Sequence, residues 1–238
     1  MKAMILAAGL GTRLKPFTDE HPKALAMVNG KSLLQRNIEY LQNFGITEVV
    51  VNVHHFADKV IAAIKNNNGF GSKIVISDET NEILETGGAI KKASQFFKDS
   101  GPFVLMNVDI LTDMELDLMI KQHITQKPLA TLAATTRKTS RYFLFDELDN
   151  LCGWKNENTN EQKMSKEIIG YTQKAFSGIH IISPEIFSLL KHEGKFSIID
   201  VYLELSKTHA ITAFDHSTSK FVDVGRPESI LLAEEMFE

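Results

Sequence analysis

Met4 to Ala8 is a short unbroken apolar run that stops at Gly9, the pattern of a strand covered on both faces that feeds a loop. From Ser32 onward, Leu33, Leu34, Asn37, Ile38, Leu41 and Phe44 recur on one face of a 3.6-residue period, and Gly45 supplies a C-terminal stop. This predicts an amphipathic helix. Glu48 to Val53, β-branched at its centre, reads as a second strand, and Phe56 to Ile64 returns to helical spacing. Alternation continues with strands over 73–77 and 103–107 and helices over 87–97 and 114–123. After Lys127 the pattern changes: strands are expected over 129–135, 142–145, 179–182 and 220–224, with late helices over 197–207 and 227–237. The polar stretch 156–166 has few residues that could anchor it and reads as an exposed hairpin or mobile loop.

Repeated βα units predict an α/β fold with a Rossmann-like, mostly parallel but mixed sheet, right-handed crossovers and helices on both faces. Ligands then belong at the carboxyl ends of the strands. Neither a repeat nor a linker interrupts the chain. One domain over 1–238 is expected, with a nucleotide-binding half over 1–127 and a second half, including the last helix, over 128–238.

Composition narrows the function classes. At 238 residues and 43% hydrophobic, the chain can bury a substantial core. Its net charge of −4, without a long run of either sign, argues against nucleic-acid or membrane partners. Local cations and backbone N–H groups can still bind phosphate in such a chain. The single Cys152 excludes an internal disulfide framework and points to a cytoplasmic setting. The first apolar run is too short for a signal peptide, and none reaches the roughly 18 residues of a membrane span.

The candidate chemistry begins where the first strand ends. Gly9-Leu10-Gly11-Thr12-Arg13-Leu14-Lys15-Pro16, followed by Pro22-Lys23, joins glycines that admit a ligand close to the backbone with two cations. It is neither a Walker loop nor the dinucleotide fingerprint, because Thr12-Arg13-Leu14 stands where a third glycine is expected. Glu85-Thr86-Gly87-Gly88 follows the third expected strand, where glycine backbone could approach a base edge and Glu85 could accept from a donor. The alternative there is an ordinary helix entry with Thr86 near the cap. Asn107-Val108-Asp109 closes one strand and Asp223 closes another, and two carboxylates brought together make a hard-oxygen site suited to Mg²⁺. Either aspartate alone would be an ordinary strand-end residue. Ala175-Phe176-Ser177-Gly178-Ile179 reads equally as a strand start, with Gly178 giving a bulge or room for a ligand. Asn52, Arg141 and Lys155 are less specific candidates for sugar or phosphate contact, and adjacent His54 and His55 do not suit a shared metal.

Taken together these segments resemble the sugar-1-phosphate nucleotidylyltransferases, along nearly the whole chain. The resemblance implies the nucleotide-diphospho-sugar transferase type of fold and transfer of a nucleoside monophosphate from an NTP to a sugar-1-phosphate, with release of pyrophosphate. It implies that Leu6, Ala8, Gly9, Gly11, Thr12, Arg13, Lys23, Glu85, Gly87 and Gly88 surround the nucleotide, with Arg13 and Lys23 catalytic on its phosphates. It assigns Asn107, Gly178 and Arg141 to the sugar, and Asp109 and Asp223 to Mg²⁺. Val108 departs from the family's usual glycine before that aspartate. The Glu-Thr-Gly-Gly form and the short C-terminus favour UTP with N-acetylmuramate-1-phosphate, with a monomer or small homo-oligomer expected. Mannose- or heptose-1-phosphate guanylyl transfer is the enzymatic alternative, and a non-catalytic nucleotide-sensing subunit is another.

Overall fold

The structure, a computed structural model, describes residues 1–237. In chain order the elements of the first half are β1 (Ala3–Leu6), β2 (Met27–Val28), β3 (Lys31–Ser32), α1 (Leu33–Asn43), β4 (Glu48–Val53), α2 (Ala57–Asn66), β5 (Lys73–Asp78), α3 (Glu85–Lys92), α4 (Ser94–Phe97), β6 (Phe103–Asn107), β7 (Ile110–Thr112) and α5 (Leu116–Gln126). The second half contributes β8 (Ala130–Thr135), β9 (Arg141–Phe145), β10 (Leu151–Asn156), β11 (Glu161–Met164), β12 (Thr172–Ile182), α6 (Ile186–Leu189), α7 (Ile198–Leu205), β13 (Ile211–Asp215), β14 (Phe221–Asp223) and α8 (Pro227–Met236).

Ten strands form one mixed sheet whose main path runs β11-β10-β9-β12-β6-β1-β4-β5, with β8 and β13 branching from β12. The first half is parallel: β1 pairs in parallel with β4 and β6, and β4 with β5. The antiparallel pairings belong to the second half, where β12 runs against β6, β8 and β9. Because β12 lies beside β6, no gap in the sheet separates the two halves.

Alternation along each strand sends side chains to opposite faces. Ile5, Val49, Val51, Val104 and Met106 enter a core with Leu33, Leu34, Ile38 and Leu41 of α1 and with residues of α2, α5 and α8. Met4, Val50, Phe103 and Leu105 enter the opposite core with α3, α4, α6 and α7. Helices therefore cover both faces, as βα alternation requires. No described helix is long and apolar enough to cross a membrane.

Several expectations are corrected. The helix expected over 87–97 starts earlier, at Glu85, and breaks at Ala93 into two pieces. The exposed hairpin that was one reading of 156–166 is present, formed by β10 and β11. Gly153 permits it, since a Cβ there would meet Lys163 O at 2.8 Å. Strands β7, β10 and β13 and the four-residue α6 were not anticipated, being too short or too polar to show a period.

Three histidines are buried in the second half and its neighbour α5. His123 meets Thr131 Oγ1 at 2.9 Å, His180 meets the Tyr202 hydroxyl at 2.9 Å, and His216 meets Ser177 Oγ at 2.8 Å. Burial lowers them to about 4, about 3 and about 4 respectively. They are neutral when folded but take up protons when unfolded below about pH 6.5. Their contribution to stability is therefore complete above that pH and is lost as pH falls through 4. Denaturant midpoints should drop between pH 7 and pH 5, with a slope of at most about 4 kcal/mol per pH unit from three protons. A pH-independent midpoint over that range would show that these rings are not held neutral.

Candidate active site

A cavity of about 460 Å³ opens at the carboxyl ends of the parallel strands, within the usual size of a small-molecule site. Leu6 and Ala8 reach it from β1, Asn52 from β4, Glu79 from the end of β5 and Asn107 from β6. The glycine loop forms one wall. Gly11 adopts φ +62°, and a Cβ there would lie 2.8 Å from Thr18 Cγ2 and 3.0 Å from Lys23 Cβ. Thr12–Leu14 then make a single 3-10 turn, closed by the Leu14 N–H donating to Gly11 O at 2.8 Å, while Thr18 Oγ1 donates to the same carbonyl at 2.9 Å. This fold-back turns Gly9, Gly11, Thr12, Arg13 and Lys23 toward the cavity.

Opposite the loop sit two carboxylates from distant parts of the chain. Asp109 follows β6 and is ion-paired with Lys23, both side chains being largely buried. Asp223 ends β14, directly across a ladder from Ile110 of β7, and the Val224 N–H donates to Asp109 O at 2.8 Å. Arg13 Nη2 lies 3.9 Å from Asp223 Oδ2. Burial and then the charge of Asp109 raise the Asp223 carboxyl above its usual range, against the pull of Lys23, Arg13 and Arg137. Two mutually repelling carboxylates balanced by cations fit a divalent ion. Among the described residues no cluster of three or more His, Cys, Asp or Glu side chains could cage a metal. Mg²⁺ needs no such cage, since it keeps waters and takes phosphate oxygens.

The supporting groups are also visible. Asn37 of α1 donates to Val108 O at 2.7 Å, which ties a core helix to the residue before Asp109. Asn52 Oδ1 accepts from the Ala7 N–H at 2.7 Å, and its Nδ2 donates to Glu79 Oε1 at 2.9 Å. The Leu84 N–H donates to Glu79 Oε2 at 3.1 Å. Glu79 is only 2% exposed yet lines the cavity. Sequence reading missed it, because a lone glutamate at a strand end carries no local signal.

Glu85 reaches the cavity wall with φ +58°, its carboxylate 3.6 Å from Lys195 Nζ. Gly87 and Gly88, expected at a base edge, are not part of the cavity wall, and both N–H groups donate to Phe196 O, at 2.9 and 3.3 Å. Their lack of a side chain serves packing. A Cβ on Gly87 would lie 2.4 Å from the Phe196 ring, and one on Gly88 2.3 Å from Gly194 O. Thr86 stands in the first turn of α3, near its cap, and its hydroxyl accepts from the Ile198 N–H at 3.0 Å. Since a backbone oxygen cannot yield as a side chain can, Gly88→Ala should cost about 1–3 kcal/mol, read as a lower denaturant midpoint. An unchanged midpoint would mean that the 194–196 segment is free to move.

Gly178, at φ +72°, lies behind the cavity wall, where a Cβ would meet Asn107 Nδ2 at 2.7 Å. Arg141 is exposed at the start of β9 and takes no part in the cavity wall. The cation of that region whose charge bears on Asp223 is Arg137, in the preceding loop. Lys155 is ion-paired with Glu157 at 2.9 Å, and His54 Nδ1 is 2.6 Å from Glu79 O, a strand-end contact.

A glycine loop, two cations and two neighbouring carboxylates at the carboxyl edge of an α/β sheet suit the binding of phosphate groups. The chain belongs to the nucleotidyl transferase family, whose profile matches residues 2–238. It is 32% identical over 243 residues to the N-acetylmuramate alpha-1-phosphate uridylyltransferase of Caulobacter vibrioides, covering 98% of this chain and 95% of that protein. It is 30% identical to a UTP--glucose-1-phosphate uridylyltransferase of Synechocystis, covering 83% of this chain but only 53% of that longer protein. Among solved structures, HddC from Yersinia pseudotuberculosis complexed with GMP-PN is 27% identical with a TM-score of 0.78, covering 100% of this chain and 99% of that one. The protein is a sugar-1-phosphate nucleotidyltransferase.

Proposed function

We propose that the chain transfers a uridylyl group from UTP to N-acetylmuramate-1-phosphate, releasing pyrophosphate. The observation that carries the chemistry is the grouping of Arg13, Lys23 and Asp109 in one cavity wall, with Asp223 beside Arg13 and within the field of Asp109 and Lys23. The support for this substrate pair is the Caulobacter relative, which matches nearly end to end.

In this reading a sugar-phosphate oxygen attacks the α-phosphorus in line, a new P–O bond forms, and the α–β bridging bond breaks. The nucleophile is already an anion, so the site must orient two polyanions and offset their repulsion. Asp109 and Asp223 would hold Mg²⁺, which when bound neutralises phosphate charge. Arg13 and Lys23 face the triphosphate and stabilise departing pyrophosphate. Gly9, Gly11 and Thr12 give the phosphates close access to backbone, while Leu6, Ala8 and Glu85 border the nucleoside. Asn107 belongs to the sugar side, where Gly178 behind it leaves it room.

Glu79 favours a second reading, guanylyl transfer. Each of its oxygens accepts one hydrogen bond and keeps acceptor capacity, which suits the two adjacent donors N1–H and N2–H of guanine. Uracil offers the single donor N3–H. Pyrophosphate release from each NTP paired with N-acetylmuramate-, mannose-, heptose- and glucose-1-phosphate separates the readings. Fastest turnover with UTP and N-acetylmuramate-1-phosphate is the expected result, and a GTP-specific pair would replace it. No turnover with any pair and Mg²⁺ would leave a nucleotide-sensing role.

A further inference from the structure

Strand β12 does not run straight past the site. Its pairing with β8 jumps from Phe176↔Ala134 to His180↔Leu132, so four residues of β12 advance while two of β8 do. The excess sits at Ser177 and Gly178, and Gly178 is pressed against Asn107, two residues before Asp109. A bulge of this kind disrupts the ladder and leaves its residues to find other partners. Here two side chains from other elements supply them. Arg137 Nη2 donates to Phe176 O at 2.8 Å, and His216 Nε2 is 2.8 Å from Ser177 Oγ.

Both side chains also rest on one ring. The Arg137 guanidinium lies 4.5 Å from the centroid of Phe221, and the His216 ring lies 5.9 Å from it at 64°. Phe221 opens β14, the strand that ends in Asp223. Ser177 and His216 are 1% and 3% exposed, so their contact is shielded from water. One packed unit therefore connects the bulge beside Asn107 with the strand bearing the second carboxylate. None of its members lines the cavity.

We propose that Arg137 and His216 are positioning residues that clamp the β12 bulge against β14, and so set the sugar-phosphate subsite without touching the nucleotide. The proposal rests on the reading above, in which the Asn107 side of the site takes the sugar phosphate. Its consequence is one-sided. Loosening the clamp displaces Gly178, Asn107 and the approach of the sugar, while Asn52 on β4 and Glu79 after β5 stay in place and the glycine loop meets β14 through Arg13, 3.9 Å from Asp223.

Arg137→Ala, Arg137→Lys and Ser177→Ala test this with the pair of substrates that wild-type enzyme turns over fastest, UTP and N-acetylmuramate-1-phosphate being the first used. Arg137→Ala should raise KM for the sugar phosphate at least about tenfold while KM for the NTP stays within about twofold. Arg137→Lys, which restores a donor to Phe176 O but not the flat stack on Phe221, should recover part of the loss. Ser177→Ala should shift the same KM in the same direction by a smaller factor. If Arg137→Ala does not fold, the other two carry the test. Equal shifts in both KM values, or none in either, would overturn the clamp. Wild-type enzyme inactive with every pair would instead sink the functional reading, and that is known before any variant is made.

Discussion

Replacing Asp109 by Asn should reduce turnover by roughly a thousandfold or more at saturating Mg²⁺, with the fold preserved. Asn is isosteric with Asp, and the residue sits at a strand end whose backbone is held independently: Val224 N–H donates to Asp109 O, and Asn37 donates to Val108 O. What is lost is one anionic oxygen donor of the pair with Asp223. Neutralising phosphate charge at the reacting centre is worth several kcal/mol, and each 1.36 kcal/mol is tenfold in rate. The substitution also strands Lys23, whose ammonium is buried against that carboxylate. Pyrophosphate release measured across a Mg²⁺ titration, with thermal unfolding in parallel, checks it. Wild-type turnover by Asp109→Asn at limiting Mg²⁺ would remove this carboxylate from the chemistry.

The second large effect is expected at Lys23. Its ammonium is ion-paired with Asp109, and its Cβ packs beside Gly11 in the loop fold-back. Lys23→Ala removes a cation that opposes the repulsion between Asp109 and Asp223 and that, in the proposed function, faces the triphosphate. A loss of about 10²–10³ in kcat is expected, the range typical for removing one preorganised stabilising group. Breaking a buried ion pair also leaves Asp109 uncompensated, which in general costs several kcal/mol. The variant should therefore be less stable without Mg²⁺ and recover much of that stability when Mg²⁺ is added, because a bound ion would supply the missing charge. A lower Tm that added Mg²⁺ leaves untouched would argue that no divalent ion shares these carboxylates.

The parts of this site that were legible in the chain are those whose signal is local. Gly9-Leu10-Gly11 after an apolar strand announces a loop that must bend sharply, and Asn107 and Asp109 are placed at a sheet edge by the four apolar residues Phe103 to Met106 before them. The Glu-Thr-Gly-Gly segment is legible too, but what its glycines do is not. The same lack of a Cβ permits a ligand or a neighbouring backbone to come close, and only the position of Gly194 and Phe196, more than 100 residues later, separates the two. For a related reason the sequence does not separate Arg141 from Arg137. Both follow the same strand within six residues, and which one turns inward depends on Phe221 and on a carbonyl freed at a bulge in β12.

By itself the sequence determined the alternating α/β architecture, the two-faced core and the locations of the phosphate loop and the two strand-end aspartates. Each depends on periodicity or on residues adjacent in the chain, which backbone sterics and burial translate directly into local structure. Tertiary structure alone decided that Asp109 and Asp223 come near each other, that buried Glu79 lines the cavity, that Gly87 and Gly88 pack against the 194–196 segment, and that Arg137 bonds Phe176 O beside Phe221. Those outcomes turn on distances between segments brought together by sheet order and crossovers, and contacts between such remote residues leave no trace in the spacing of either one.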